Sequence, residues 1–325
     1  MLTSSPAPFH DGGRHPGAGP RRGSVLFVAD APSSRREPGR PAPPGGPLRG
    51  VGKTALGVAI VRARESRRDD RLFDDPYAQA FADAAPGAFP EIPQTGEQRA
   101  ALGPLASVGA AFYAHAVIRT RFFDDYLAAA TAGCRQVVLL AAGLDTRAFR
   151  LAWPGRTTVF EIDLPGVLAF KDTVLAARGA VPRCERVVVP ADLREDWTAA
   201  LAGAGFDRAG PAAWLAEGLL LYLTAQQAGR LLTGVSELSA PGSQLSFEHD
   251  PAASATLAGQ AREMAALRPY ASLWKGGLGG EAPRWLAGRG WRPRVHDLAA
   301  VAAAYGRPVP GPARGGFLTA VRAGP

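Results

Sequence analysis

Residues 136–147 read Gln-Val-Val-Leu-Leu-Ala-Ala-Gly-Leu-Asp-Thr-Arg. An unbroken apolar run that closes in small residues predicts a buried strand, then a tight turn, then a helix start. Twenty residues after Gly143, the run Val159-Phe160-Glu161-Ile162-Asp163 is a second strand ending in a carboxylate. A third, at 186–190, is followed by Ala191-Asp192-Leu193. Three consecutive strands thus end in a glycine turn, an acid and a second acid, the geometry of a nucleoside-binding α/β crevice. Small residues let a ligand approach the backbone, Asp163 can accept from ribose hydroxyls, and Asp192 can accept from the adenine amino group with Leu193 against the ring. Each acid alone reads more readily as an exposed loop residue or a helix cap. Their ordered spacing over three βα units is what points to a site.

Outward from this centre, short apolar runs recur at 137–141, 158–162, 186–189, 213–216, 245–247, 293–296 and 317–321. Helical patterns separate them at 165–178, 198–203, 225–238 and 253–270. This alternation predicts an α/β, Rossmann-like fold with a mostly parallel seven-stranded sheet and helices on both faces. Before it, helical patterns at 54–85, broken at Asp75-Pro76, and at 97–130, interrupted at Gly103-Pro104, form an N-terminal helical layer. Residues 1–48 are rich in Pro, Gly, Ser and Arg and are expected to be a disordered tail. That leaves one domain over 49–325, with the helical layer at 49–130 and the α/β core at 131–325.

The chain has 325 residues, 46% of them hydrophobic, enough to bury a large core. The net charge of +8 is divided evenly, +4 falling on residues 1–50 and +4 on the other 275. The folded part therefore has a weak basic footprint, and nucleic acid is not an expected partner. No apolar run reaches membrane-spanning length, and the N-terminus lacks a signal-peptide h-region. The two cysteines, Cys134 and Cys184, have neither metal-ligand nor paired spacing. No membrane partner and no metal are expected, and the expected location is the cytoplasm.

Gly50-Val51-Gly52-Lys53-Thr54 imitates the end of a phosphate-binding loop. The glycine required four residues before Gly52 is Pro47, and the proline-rich stretch before it cannot form the strand that aims such a loop. A helix start near Thr54 is the better reading.

The sequence also resembles the leucine carboxyl methyltransferase-like proteins, in particular the bacterial S-adenosylmethionine-dependent branch that includes polyketide O-methyltransferases. The resemblance extends over roughly residues 51–321. It is carried by Arg62-Ala63-Arg64-Glu65, Leu72-Phe73-Asp74-Asp75-Pro76-Tyr77-Ala78, Arg119-Thr120-Arg121-Phe122-Phe123-Asp124, Gly143-Leu144-Asp145-Thr146-Arg147, Phe160-Glu161-Ile162-Asp163, Asp192-Leu193-Arg194 and Glu217-Gly218-Leu219-Leu220-Leu221-Tyr222. It implies a class I methyltransferase whose helical layer is a lid, with S-adenosylmethionine as cofactor and a small-molecule methyl acceptor. It further implies that Ala141, Gly143, Asp163, Leu164, Asp192 and Leu193 bind the cofactor. Arg119 would pair with the methionine carboxylate, for which a guanidinium fork is suited. Its alternative is an exposed helix arginine paired to Asp124 or Asp125. Glu217 would face the cofactor amine or the acceptor, and Tyr222 would orient the acceptor. Lys53 matches a position at which relatives contact the cofactor.

Ala141 stands where the family commonly has the first glycine of a Gly-x-Gly turn, so a methyl group there narrows the turn. His249, at the end of the fifth strand, is a candidate base or a polar loop residue. His115 reads as a packed or solvent-facing histidine, with an acceptor-facing role as the alternative. Two other functions compete. One is an NAD(P)-dependent oxidoreductase, whose Gly-x-Gly-x-x-Gly fingerprint the turn lacks. The other is a relative that binds ligand without catalysis.

Overall fold

A computed structural model of the chain describes residues 51–86, 103–251, 273–309 and 315–324. The expected tail, and the helix expected at 253–270, lie outside the described residues.

Seven strands form one sheet: β1 (Gln136–Leu140), β2 (Thr158–Asp163), β3 (Glu185–Pro190), β4 (Ala212–Ala216), β5 (Gln244–His249), β6 (Trp291–Asp297) and β7 (Gly316–Arg322). Their order is β3-β2-β1-β4-β5-β7-β6. Pairs among β1 to β5 are parallel, and β7 runs antiparallel between β5 and β6. The strand order reverses between β1 and β4, and the crevice at such a switch point is where α/β sheets bind ligands.

Alternation along the strands sorts the core into two layers. Val137 and Leu139 of β1, Val159 of β2, and Ala213 and Leu215 of β4 face one cluster. Val138 and Leu140, Phe160 and Ile162, and Trp214 and Ala216 face the other. Burial on both faces is why these strands read as continuous apolar runs rather than as alternating ones.

On the first face lie α1 (Val51–Ser66), α3 (Pro104–Ala130), α5 (Pro165–Ala177) and α9 (Leu298–Ala304), with α2 (Ala78–Ala84) against α1. α3 opens on Pro104, whose missing N–H costs nothing at a helix start. It then buries Ile118, Phe123, Tyr126, Leu127 and Ala130. The second face carries α6 (Trp197–Gly203), α7 (Ala225–Glu237) and α8 (Ala282–Ala287). A capping box between Thr224 and Gln227 starts α7, which buries Ala228, Leu231, Leu232 and Val235 at helical spacing. A single turn, α4 (Arg147–Arg150), follows β1.

Two strand bounds shift, and the helix start expected near Thr54 holds. β1 stops at Leu140, because Ala141 adopts φ +54° and leaves the extended region. β6 extends beyond 293–296 to Trp291–Asp297, its outer residues escaping notice because an edge strand keeps most side chains wet. Lys53 and Thr54 lie in the first turn of α1, in place of a phosphate loop. Among the described residues, no helix is long and apolar enough to cross a membrane.

Candidate active site

The turn after β1 is compressed into a left-handed pair. Ala141 has φ +54° and Gly143 φ +51°, and a Cβ at Gly143 would sit 3.3 Å from the Ala55 Cβ. Glycine adopts this backbone freely, whereas alanine is strained in it. The replaced glycine thus takes the glycine conformation, so the departure at 141 appears as local strain in a turn that is otherwise kept.

That turn holds the acid of β2. The Gly143 amide donates to Asp163 Oδ2 at 2.6 Å, and the Leu164 amide donates to Oδ1 at 2.7 Å. Burial raises the Asp163 pKa, the two amides partly offsetting it. Leu164 itself is exposed and caps α5. Beneath, on the first face, Glu161 is fully buried and paired with Lys171 Nζ at 2.8 Å and Arg186 at 2.7 Å. This cluster went unread in the sequence, where a lone acid inside a strand gives no hint of its partners.

At the end of β3, Asp192 is half-buried and bound by the Arg194 amide and guanidinium. The Arg194 hydrogen bonds hold its pKa below the usual range. Leu193 packs against the second-face core.

The densest electrostatics lie where α3 crosses the ends of β4 and β5. Arg119 is buried and donates from Nε to Glu217 at 2.9 Å and from Nη1 to Glu248 at 2.6 Å. It pairs with neither Asp124 nor Asp125: Asp124 takes Arg147 and Arg150, and Asp125 takes Arg121. Glu217 follows β4 directly and also accepts from Arg147 Nη1 at 2.7 Å. Although burial opposes ionisation, Arg147 and Arg119 keep the Glu217 pKa low. Glu248 Oε2 accepts from the Gly218 amide at 2.5 Å. Arg147 also contacts Asp145, whose pKa falls to about 2 because the surrounding cations, Arg147 foremost, outweigh its burial. The helical layer, the β1 turn and the ends of β4 and β5 are thus joined by one chain of buried ion pairs. Glu248 and Arg147 were not singled out as site residues, since their partners are remote in sequence.

Tyr222 lies in a one-turn 3₁₀ helix, Leu220–Tyr222, hydrogen-bonded by the Thr54 side chain. Burial raises its pKa. His249 is buried at the end of β5. Because Glu248 reaches Arg119, alternation turns His249 to the opposite face of the sheet. Two histidines share the Arg119 face: His296 of β6, against Phe122 with centroids 5.1 Å apart, and His115, one helical turn before Arg119 on α3. The His115 ring stacks on Phe317 with centroids 6.2 Å apart, and burial followed by the nearby Arg119 lowers its pKa to about 4. Among the described residues, no group of His, Cys, Asp and Glu could hold a metal ion.

The matching family model is leucine carboxyl methyltransferase, over residues 55–236. Curated relatives cover most of the chain. A Parafrankia protein is 54% identical over 84% of this chain and 88% of its own length, and is named "Putative S-adenosyl-L-methionine-dependent methyltransferase". A similarly named Streptomyces coelicolor protein is 46% identical over 84% of this chain and 96% of its own. Among solved structures, a DUF574 family protein from Streptomyces avermitilis shares the fold, with a TM-score of 0.51 and 18% identity over 78% of this chain and 97% of that one. The chain belongs to the leucine carboxyl methyltransferase family of S-adenosylmethionine-dependent methyltransferases.

Proposed function

We propose that the chain is an O-methyltransferase that uses S-adenosylmethionine to methylate an oxygen of a small-molecule acceptor, a polyketide-like metabolite being the family precedent. The observation that carries this reading is the joining of two half-sites across the sheet's switch point. Asp163, held by the Gly143 and Leu164 amides, offers a carboxylate to ribose hydroxyls. On the other side, Arg119, Glu217 and Glu248 present a cation between two acids.

That donor set fits the cofactor's groups. Arg119 has Nε and Nη1 taken by the glutamates and offers Nη2 to the methionine carboxylate, while Glu217 complements the ammonium. Asp192 and Leu193 would take the adenine, Asp192 exchanging its contact with Arg194. Leu164 and the Ala141–Gly143 turn would flank the nucleoside. Tyr222 and Glu217 border the acceptor, whereas His249 lies across the sheet and is the weaker candidate of the three.

S-adenosylmethionine supplies an already activated methyl group. The chain's task is therefore to align the acceptor and exclude water. The acceptor is a free small molecule, the partner is neither nucleic acid nor membrane, and the cytoplasm is the compartment where the cofactor is made available. Calorimetric titration with S-adenosylhomocysteine and with NADH tests the cofactor half of this reading. Micromolar binding of the first and none of the second is expected. NADH binding without a response to S-adenosylhomocysteine overturns it.

A further inference from the structure

His115, Arg119 and Phe122 follow one another at i, i+4 and i+7 on α3, so they share one face of that helix. Facing them is a row on the sheet. Glu248 of β5 is directly opposite Phe317 of β7, which is directly opposite His296 of β6. Arg119 closes on Glu248 at 2.6 Å, and Phe122 stacks on Phe317 with centroids 4.3 Å apart. His115 covers the same Phe317 ring. One turn further out, Phe112 leaves 47% of its surface exposed, the largest exposure of any aromatic on this helix face. The stripe from Phe112 through His115 to Arg119 therefore runs from an apolar rim to the charged end of the crevice.

Within that stripe His115 is enclosed, yet not sealed. It keeps part of its surface accessible, in contrast to Ala116, Val117 and Ile118 behind it, which are buried. The enclosure is close enough to strip solvent from the ring and leave it neutral around pH 7. A neutral imidazole has one nitrogen that accepts a hydrogen bond.

We propose that His115 receives the methyl acceptor, its imidazole accepting the hydrogen bond of a hydroxyl group whose apolar carrier lies along Phe112. The inference rests on the O-methyltransferase reading and narrows it to a hydroxyl acceptor. Arg119 already holds two carboxylates. Its remaining Nη2 goes to the cofactor's carboxylate, so a carboxylate on the acceptor would find no nitrogen of Arg119 left and would meet like charges at Glu217 and Glu248. A hydroxyl meets no such repulsion but must lose its proton, which a carboxylate acceptor need not do.

In the transfer, a lone pair of the acceptor oxygen forms the new bond to the methyl carbon. The carbon–sulfur bond breaks with its electron pair going to sulfur, and the hydroxyl proton passes to the imidazole. The positive charge moves from sulfur to His115, so the site's net charge is unchanged. The imidazole then returns the proton to solvent.

The test uses the full chain with its histidines labelled with ¹⁵N, loaded with S-adenosylhomocysteine, and phenol as the probe. The H115F variant identifies the His115 resonances by their loss while keeping a ring on Phe317, and H115A removes ring and nitrogen together. Phenol is expected to shift the His115 nitrogen signals in the wild type. Its Kd should rise about five-fold in both variants, the worth of one hydrogen bond. S-adenosylhomocysteine affinity should stay within two-fold of wild type, and benzoate should leave the His115 signals in place. An unmoved His115 signal with phenol, H115F binding phenol as wild type does, or a benzoate response exceeding that to phenol each overturns the proposal. If wild type fails to bind S-adenosylhomocysteine, it is the methyltransferase reading that has failed.

Discussion

Gly143 donates its backbone N–H to Asp163 Oδ2 at 2.6 Å, so one hydrogen bond ties the turn after β1 to the end of β2. The carboxylate is thereby aimed before any ligand arrives, with lone pairs left on both oxygens for a diol.

Asp163→Ala removes that acceptor and is expected to weaken S-adenosylhomocysteine binding by about 30-fold, or about 2 kcal/mol, as for other hydrogen bonds to charged groups. Asp163→Asn, which keeps one acceptor oxygen, should lose less. Calorimetry measures both, and an unchanged Kd in Asp163→Ala removes Asp163 from the site.

Ala141 sits at φ +54°, a backbone that costs an L-residue about 1–2 kcal/mol. Ala141→Gly relieves this, against the greater freedom glycine gains on unfolding, about 0.5–1 kcal/mol. The net expectation is a Tm higher by about 1–3 °C with undiminished cofactor affinity. A lower Tm by scanning calorimetry would falsify the assignment of strain to this turn.

Arg119→Met leaves Glu217 and Glu248 facing each other without their shared cation. The expected loss is about 3 kcal/mol, although Arg147 still holds Glu217. Adding Glu248→Gln should restore part of it, with a coupling of about 1–2 kcal/mol in a double-mutant cycle. Urea denaturation gives all four stabilities, and strict additivity is the outcome incompatible with the observed pair.

His115 and Asp145 both contribute to the acid limb of stability. His115 titrates at about 4 when folded and near 6.5 when unfolded. The unfolded chain therefore binds more protons between these values, and stability present above pH 6.5 is lost on acidification towards pH 4. Asp145, lowered to about 2, continues the loss between about pH 4 and 2. Asp163 opposes it near pH 4, because its raised pKa makes the folded state take up a proton earlier. Urea midpoints from pH 8 to pH 4 should fall in the wild type and fall less in H115F. His249 and His296, also lowered by burial, and Glu217, lowered by its arginines, contribute to the slope that remains. Equal slopes in the two proteins would place His115 in water.

The sheet and the ends of its first three strands were legible because strands buried on both faces are written as unbroken apolar runs. Glycine and acid end those runs where the crevice lies. The partners of Arg119 were hidden: Glu217 is 98 residues away and Glu248 is 129, and only the sheet's strand order brings them to one helix. For the same reason His249 looked nearer the crevice than His115, since position along the chain does not reveal which face of a strand is turned inwards. The short helices α8 and α9 carry too few turns to show a period.

β7, drawn from residues 316–322, lies inside the sheet between two strands synthesised before it. Until those residues leave the ribosome, β5 and β6 have no neighbour on that side, and each offers an open row of amides and carbonyls. Assembly of this sheet therefore ends one strand in from its edge. A nascent chain stalled ten residues short of residue 322 has an open edge on β5 and a β6 with no strand partner at all.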